Sequence, residues 1–334
     1  MVDAKMDGTS AEFALKSCAS PLLVTTTCAR LEVLWIASST PSSLDCFSNL
    51  PRRGSNEPCF SIPQVEDASP FTYVDTHAGR GVYDLIVEEA KGNFQNGIAR
   101  LCSRVAASGV ANSRCHPLQE YLALQGQVNK GTMPPHPRYL GSPCISHLFL
   151  RPQDQAICFE YAVDMHRELV KSIASMQRHH PHARTTILQE NSYWWLLHHL
   201  PSDVRRGRGL VLMDPPYEPY DEYMAWNLYA LRHLYHTWPA SCIAVWYPCF
   251  TDEQTEAIYL QFLYLDVGDI LIADFGLTKE SVVGASLQRS ALALLRPPTT
   301  EQRLNEMLQD LAQLIGGADI KVFWISQWSQ RRGF

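Results

Sequence analysis

From Phe71 onward the apolar positions fall into two alternating patterns. Short apolar runs bounded by turn residues cover Phe71–Val74, Gln155–Phe159, Arg184–Leu188, Gly209–Met213, Cys242–Trp246, Asp269–Ala273 and Ala291–Leu295. Buried strands of a parallel sheet look like this, because both faces are covered and no polar alternation is needed. Three of the runs lead directly into an acid: Asp75, Glu160 and Asp214. Between the runs, Met165–Met176, Tyr220–His236 and Glu253–Leu263 carry apolar residues at helical spacing. Strands alternating with helices predict an α/β fold on one open, doubly wound sheet. The interval from Asp75 to Glu160 is several times longer than a simple strand–helix–strand unit requires. Residues 88–138 are therefore expected to be an inserted small subdomain, with helices at Asn96–Arg104 and Leu118–Gln127.

The chain before Phe71 has a different texture. Residues 1–37 hold a candidate short helix, Glu12–Cys18, and a mixed apolar stretch. Residues 38–70 are rich in Ser and Pro and read as an exposed linker or insertion. The main domain is expected over 71–328, with a short tail at 329–334. Hydrophobic residues are 46% of the 334 positions and charged residues 19%, which excludes a disordered chain, a coiled coil and a collagen. No apolar run is long enough to cross a bilayer, and Asp3, Lys5, Asp7 and Glu12 interrupt any secretory pattern, so a soluble cytoplasmic or organellar protein is expected. The ten cysteines include no Cys-x-x-Cys pair and read as buried thiols. A net charge of -6 provides no global field for nucleic acid, so any such contact needs a local basic patch. Arg205, Arg206 and Arg208, with Arg100, Arg104 and Arg114, are the candidates; a solvated face accounts for them nearly as well.

Candidate chemistry gathers at the strand tips. Asp75-Thr76-His77-Ala78-Gly79-Arg80-Gly81 follows the first strand and runs into an expected helix at Tyr83. Its glycines permit a tight turn and close backbone approach to a ligand, although an ordinary strand-to-helix turn fits equally well. Glu160 ends the second strand, where doubly wound folds often bind ribose hydroxyls; taken singly it reads as a surface acid. Asp214-Pro215-Pro216-Tyr217 is the sharpest signal. Two prolines stiffen the turn at a strand's carboxyl end, so an Asp oxygen and a backbone carbonyl can face one exocyclic amine. The alternative is a rigid loop with a buried tyrosine. His179-His180-Pro181-His182 reads as a solvated loop in preference to a metal site, and Tyr193-Trp194-Trp195 as helix packing in preference to base stacking.

Several of these motifs occur in one order that resembles a known family. Asp75–Gly81, Gly97-Ile98-Ala99-Arg100, Tyr139-Leu140-Gly141-Ser142-Pro143, Arg205-Arg206-Gly207, Asp214-Pro215-Pro216-Tyr217-Glu218 and Trp246-Tyr247-Pro248 look like the ribosomal RNA large subunit methyltransferase J (RlmJ) family, from about Phe71 to about Gln327. The resemblance implies a Rossmann-like class I S-adenosylmethionine-dependent methyltransferase fold with an inserted helical subdomain. It also implies methylation of N6 of an adenine in 23S-type ribosomal RNA by a monomer with no membrane partner. Carried over residue by residue, it places Asp75 and the Gly79/Gly81 loop at the methionine part of the cofactor, with His77 and Ser142 also among the cofactor-binding residues. Glu160 falls on the ribose and Asn191 near the adenine, where the family has an Asp. Asp214 becomes the catalytic residue, the Pro215 carbonyl helps orient the amine, and Tyr217 stacks on the base. Lys16, within Ala14-Leu15-Lys16-Ser17, stands in for a family lysine, but the family's preceding His and Asn residues are absent. The family's Gly-rich target-facing stretch is replaced by Ser286-Leu287-Gln288-Arg289-Ser290-Ala291.

The chemistry implied needs no metal. The N6 lone pair is delocalised into the ring, and two hydrogen bonds to its N–H groups favour a pyramidal, nucleophilic nitrogen. The methyl group must then lie in line at roughly 3 Å, and a base inside a helix must be extruded or already unpaired. The short Asp-Pro-Pro-Tyr signature also suits adenine in DNA, guanine N2 in RNA or a glutamine amide. A noncatalytic RNA- or ribosome-binding module on the same fold is a further alternative.

Overall fold

The computed structural model describes residues 69–84, 101, 116–129, 138–277, 289–315 and 318–332. Lys16, the Glu12–Cys18 helix, Arg100, Arg104, Arg114 and Ser286–Gln288 lie outside the described residues, as do almost all of the 38–70 segment and of the Asn96–Arg104 helix.

All seven expected strands form: β1 (Phe71–Asp75), β4 (Gln155–Phe159), β5 (Arg184–Leu188), β6 (Arg208–Met213), β7 (Ser241–Pro248), β8 (Ile270–Leu277) and β9 (Arg289–Leu295). Three more were not legible in the apolar pattern: β2 (Val82–Asp84), β3 (Arg138–Leu140) and β10 (Ala318–Trp324). The helices are α1 (His116–Val128), α2 (Ser142–Phe149), α3 (Val163–Gln177), α4 (Ser192–His198), α5 (Ser202–Arg206), α6 (Tyr220–Thr237), α7 (Asp252–Leu263), α8 (Glu301–Ile315) and α9 (Ile325–Arg332).

Eight strands form one sheet in the order β10-β8-β9-β7-β6-β1-β4-β5. The five strands from β7 to β5 are mutually parallel, whereas β9 runs antiparallel to both β7 and β8, and β10 antiparallel to β8. The expected parallel sheet is thus mixed at one side, because an apolar run carries no information about strand direction. Helices cover the sheet through periodic apolar stripes. Met224, Leu231 and Leu234 point α6 inward, and Leu304, Met307, Leu308 and Leu311 do the same for α8. Among the described residues no helix is long and apolar enough to cross a membrane.

The helix expected at Tyr83 is absent. Val82–Asp84 instead pairs antiparallel with Arg138–Leu140, and Tyr83 stacks on its register partner Tyr139 at 4.6 Å between centroids. This two-stranded ribbon brackets residues 85–137, and α1, close to the predicted Leu118–Gln127 helix, packs beside it. Gln125 exchanges two side-chain hydrogen bonds with the Leu140 backbone, at 2.8 and 3.3 Å.

Candidate active site

The register places the acidic strand tips side by side. Asp75 on β1 lies opposite Cys158 on β4 and Leu212 on β6. Glu160 and Asp214 each follow two residues beyond those partners. Neighbouring strands are about 4.8 Å apart, so all three tips share the carboxyl edge of three adjacent parallel strands. Chain order reverses between β1 and β6, which is the crevice where ligands enter such sheets.

Backbone bonds lock the turn after β1 to both neighbours. Thr76 N donates to the Leu212 carbonyl at 3.0 Å and Ala78 N to the Phe159 carbonyl at 2.8 Å. Gly79 N donates to Glu160 Oε2 at 2.9 Å, while Ala162 N donates to Oε1 of the same carboxylate at 2.8 Å. Burial raises the Glu160 carboxyl above its ordinary pKa, partly offset by those two N–H groups. Gly79 and Gly81 adopt φ of 64° and 79°, the left-handed region that disfavours side chains. A Cβ on Gly79 would stand 2.1 Å from the Tyr83 hydroxyl. From the other side, Ser172 on α3 donates its hydroxyl to the Arg80 carbonyl at 2.8 Å.

Asp75 ends β1 and is buried. Its carboxylate has no exposed area; it accepts from the Tyr73 hydroxyl at 2.9 Å and the His77 backbone N–H at 3.3 Å. Tyr73 also bonds to Ser142, the first residue of α2, and the Gly141 N–H donates to the Gly81 carbonyl at 2.6 Å. Asp75 and Ser142 therefore brace the glycine turn from beneath. His77 is hydrogen-bonded to the Thr76 hydroxyl at 2.7 Å and packs against Tyr193 and Tyr223. Burial pushes its pKa down to about 3, so it is neutral near pH 7. Asn191 stands exposed just past β5 and caps α4, accepting from Trp194 N at 3.0 Å.

Asp214 and Pro215 sit at the tip of β6, and Tyr217 follows with φ of 54°. Tyr217 was expected to offer its face to a base, but it is only 6% exposed. Its hydroxyl donates to the Trp246 carbonyl and accepts from Asn227 Nδ2 at 2.8 Å; Asn227 Oδ1 in turn accepts from the Tyr193 hydroxyl at 2.8 Å. Burial chiefly, then neighbouring groups that include Asp214, raises the pKa of both tyrosines. This buried chain ties α4, α6, the Asp-Pro-Pro-Tyr loop and β7 together. Sequence reasoning did not identify Asn227. The available signal was an amide on the apolar stripe of α6, between Met224 and Leu231. Of the Tyr193-Trp194-Trp195 motif, Tyr193 belongs to the site, Trp195 packs on Phe159, and Trp194 is exposed beside His198.

The candidate basic patch lies elsewhere. Arg205 and Arg206 are on α5, and Arg208 starts β6, with its guanidinium donating to Ser69 Oγ and O at 3.0 Å each. Six residues of strand separate that end from Asp214, about 20 Å at roughly 3.3 Å per residue. These arginines occupy the amino edge, opposite the acidic tips. Arg289 in the replaced target-facing stretch is held by buried Asp274 through two bonds, at 2.8 and 2.5 Å. Among the described residues no group of three His, Cys, Asp or Glu side chains is placed to hold a metal ion.

A family model described as ribosomal RNA large subunit methyltransferase D, RlmJ, matches residues 68–328. The chain belongs to the RlmJ family. Two curated RlmJ relatives, both named ribosomal RNA large subunit methyltransferase J, are each 27% identical to it. The Haemophilus influenzae protein aligns over 262 residues, 77% of this chain and 87% of its own length. The Escherichia coli K12 protein aligns over 266 residues, 78% of this chain and 88% of its own. In fold, the crystal structure of Legionella pneumophila protein LPL1258 resembles this chain with a TM-score of 0.65 at 19% identity, covering 88% of this chain and 96% of that one. The stretch matched to RlmJ contains every described site residue above. Lys16 falls before it.

Proposed function

We propose that the chain transfers a methyl group from S-adenosylmethionine to N6 of an adenine in large-subunit ribosomal RNA. The observation that carries this reading is the register that sets the glycine turn, Glu160 and Asp214 on one edge of β4, β1 and β6, at the point where chain order reverses. The RlmJ relatives' names support the ribosomal RNA substrate.

The residues present fit the cofactor. The turn at Gly79 and Gly81 exposes backbone where a side chain would intrude, and it is fixed on both sides by strand carbonyls. Glu160 uses one lone pair on each oxygen for backbone N–H groups, and a carboxylate has about four acceptor sites, so ribose hydroxyls can be accepted as well. Asn191 at the next tip suits the adenine end. When bound, the cofactor supplies an electrophilic methyl group on a sulfonium. Asp214 accepts one N–H of the target amine and the Pro215 carbonyl the other, which localises the lone pair on nitrogen. As the N–C bond forms and the methyl–sulfur bond breaks, its electron pair leaving on a neutral thioether, Asp214 would hold the proton released from the amine. Neutral His77 adds no second cation beside a sulfonium. Extrusion of the base costs a few kcal/mol, which aromatic stacking partly offsets.

The test is nucleoside mass spectrometry of large-subunit RNA incubated with the protein and S-adenosylmethionine. N6-methyladenosine is expected; Asp214→Ala should abolish it while calorimetry shows near-normal cofactor binding. Methylation confined to DNA or to guanine N2 redirects the substrate, and absence of cofactor binding at millimolar concentration leaves a noncatalytic module.

A further inference from the structure

The inner tyrosine of the catalytic loop is already committed, so a stacking surface for RNA must be sought further out. Tyr217 packs against Tyr220 at 5.3 Å between centroids, and Tyr220 meets Phe250 edge-on at 5.8 Å. The three rings form a ladder that starts three residues from Asp214 and ends at Phe250, which is 62% exposed. Phe250 follows β7, the strand next to β6, so it lies on the same carboxyl edge as the acidic tips. Tyr220 is anchored in the middle, with its hydroxyl donating to the Pro248 carbonyl at 3.3 Å.

Local structure does not account for the exposed ring. Phe250 precedes Thr251, the N-cap of α7, which accepts from Gln254 N at 3.1 Å. An apolar residue at that position ordinarily packs on the fourth residue of the helix. Here the fourth residue is Thr255, a polar side chain whose hydroxyl donates to the Thr251 carbonyl at 2.8 Å. The helix is thus capped without an apolar partner for Phe250. The exposed Tyr264, by contrast, follows α7 and so lies towards the opposite edge.

We propose that Phe250 is an RNA-contacting residue that sets the strand's register: its ring, backed by Tyr220, stacks the base of the nucleotide adjoining the target adenine. The ladder accounts for the arrangement. The inner end is buried and positions the loop that bears Asp214, while the outer end is open to solvent. Bases of any identity present a π-face, so this contact holds the strand in register and leaves selection of the adenine to the amine site.

The inference rests on the RNA-methylating reading, and the experiment separates the two. The probe is a labelled oligouridylate with one central adenine, together with the same strand carrying an abasic ribose on either side of that adenine. Affinity is read by fluorescence anisotropy with the full chain, and methyl transfer on the same strands. In the parent protein one flanking abasic site is expected to weaken binding about fivefold to a hundredfold. Phe250→Ala should weaken binding to the intact strand by a similar factor and abolish the abasic penalty, whereas Phe250→Trp keeps both. Cofactor affinity by calorimetry should be unchanged in both variants, which shows that the site still folds. An active parent whose Phe250→Ala variant binds the intact strand equally well, or retains the abasic penalty, overturns the Phe250 assignment alone. A parent that binds with the penalty but methylates no adenine overturns the function and leaves the stacking contact. A parent that neither binds nor methylates RNA overturns both.

Discussion

Asn227 offers the most direct test of how the Asp-Pro-Pro-Tyr loop is held. It is 1% exposed and serves two hydroxyls at once. Asn227→Leu keeps the volume but removes the acceptor for Tyr193 and the donor to Tyr217. The two losses differ in size. The Tyr193 hydroxyl is left as a buried donor without its acceptor, which costs about 1–3 kcal/mol. The Tyr217 hydroxyl still donates to the Trp246 carbonyl and loses only an accepted bond, about 0.5–1.5 kcal/mol. The expected destabilisation is therefore about 1.5–4.5 kcal/mol in urea unfolding. Tyr193→Phe removes the orphaned donor, so in that background Asn227→Leu should be milder by about 1–2 kcal/mol, the coupling that a double-mutant cycle reads. Because Tyr217 closes the loop that begins at Asp214, single-turnover methyl transfer should fall by at least tenfold. The Gly79–Glu160 contacts are outside the chain of bonds, so cofactor affinity should hold. Additive effects of the two substitutions, or a variant as stable as the parent, would falsify the account of the relay.

Three other outcomes follow from the same geometry. Gly79→Ala forces a side chain into left-handed backbone, at about 1–2 kcal/mol, and drives its Cβ into the Tyr83 hydroxyl, so calorimetry should show cofactor binding weakened at least tenfold; unchanged affinity would mean the turn does not shape the pocket. His77 has a folded-state pKa depressed from 6.5 to about 3, so its neutral form contributes stability that is complete above 6.5 and lost as pH falls towards 3; His77→Gln should flatten the pH dependence of the urea midpoint in that window, and an unaltered slope would count against it. Arg205→Ala with Arg206→Ala, on the edge opposite Asp214, should leave the salt dependence of oligoribonucleotide binding as it is, whereas each phosphate contact at those sides would show as a drop of about 0.7 in the logarithmic slope.

Much of this protein is determined locally and is legible in one dimension. The apolar runs into Asp75, Glu160 and Asp214 mark strands, since they are short and bounded by turn residues, as buried strands are. Glycines at 79 and 81 anticipate a turn, since positive φ is open to few other residues. Motif order then anticipates the family. Other features depend on partners distant in sequence. Strand direction at β9 is set by its pairing with β7 and β8, and an apolar run reads alike in either direction. The edge strand β10, with Asp319 and Lys321 in its half-exposed alternation, carries too weak an apolar signal to be found alone. Tyr83 joins a ribbon because Tyr139, far along the chain, stacks on it. The same reason buries Tyr217 and sets Arg208 on the amino edge of the sheet. A residue's type announces what it can bind, but burial and the edge of the sheet on which it falls emerge only when the chain closes on itself, because those are properties of its neighbours in space.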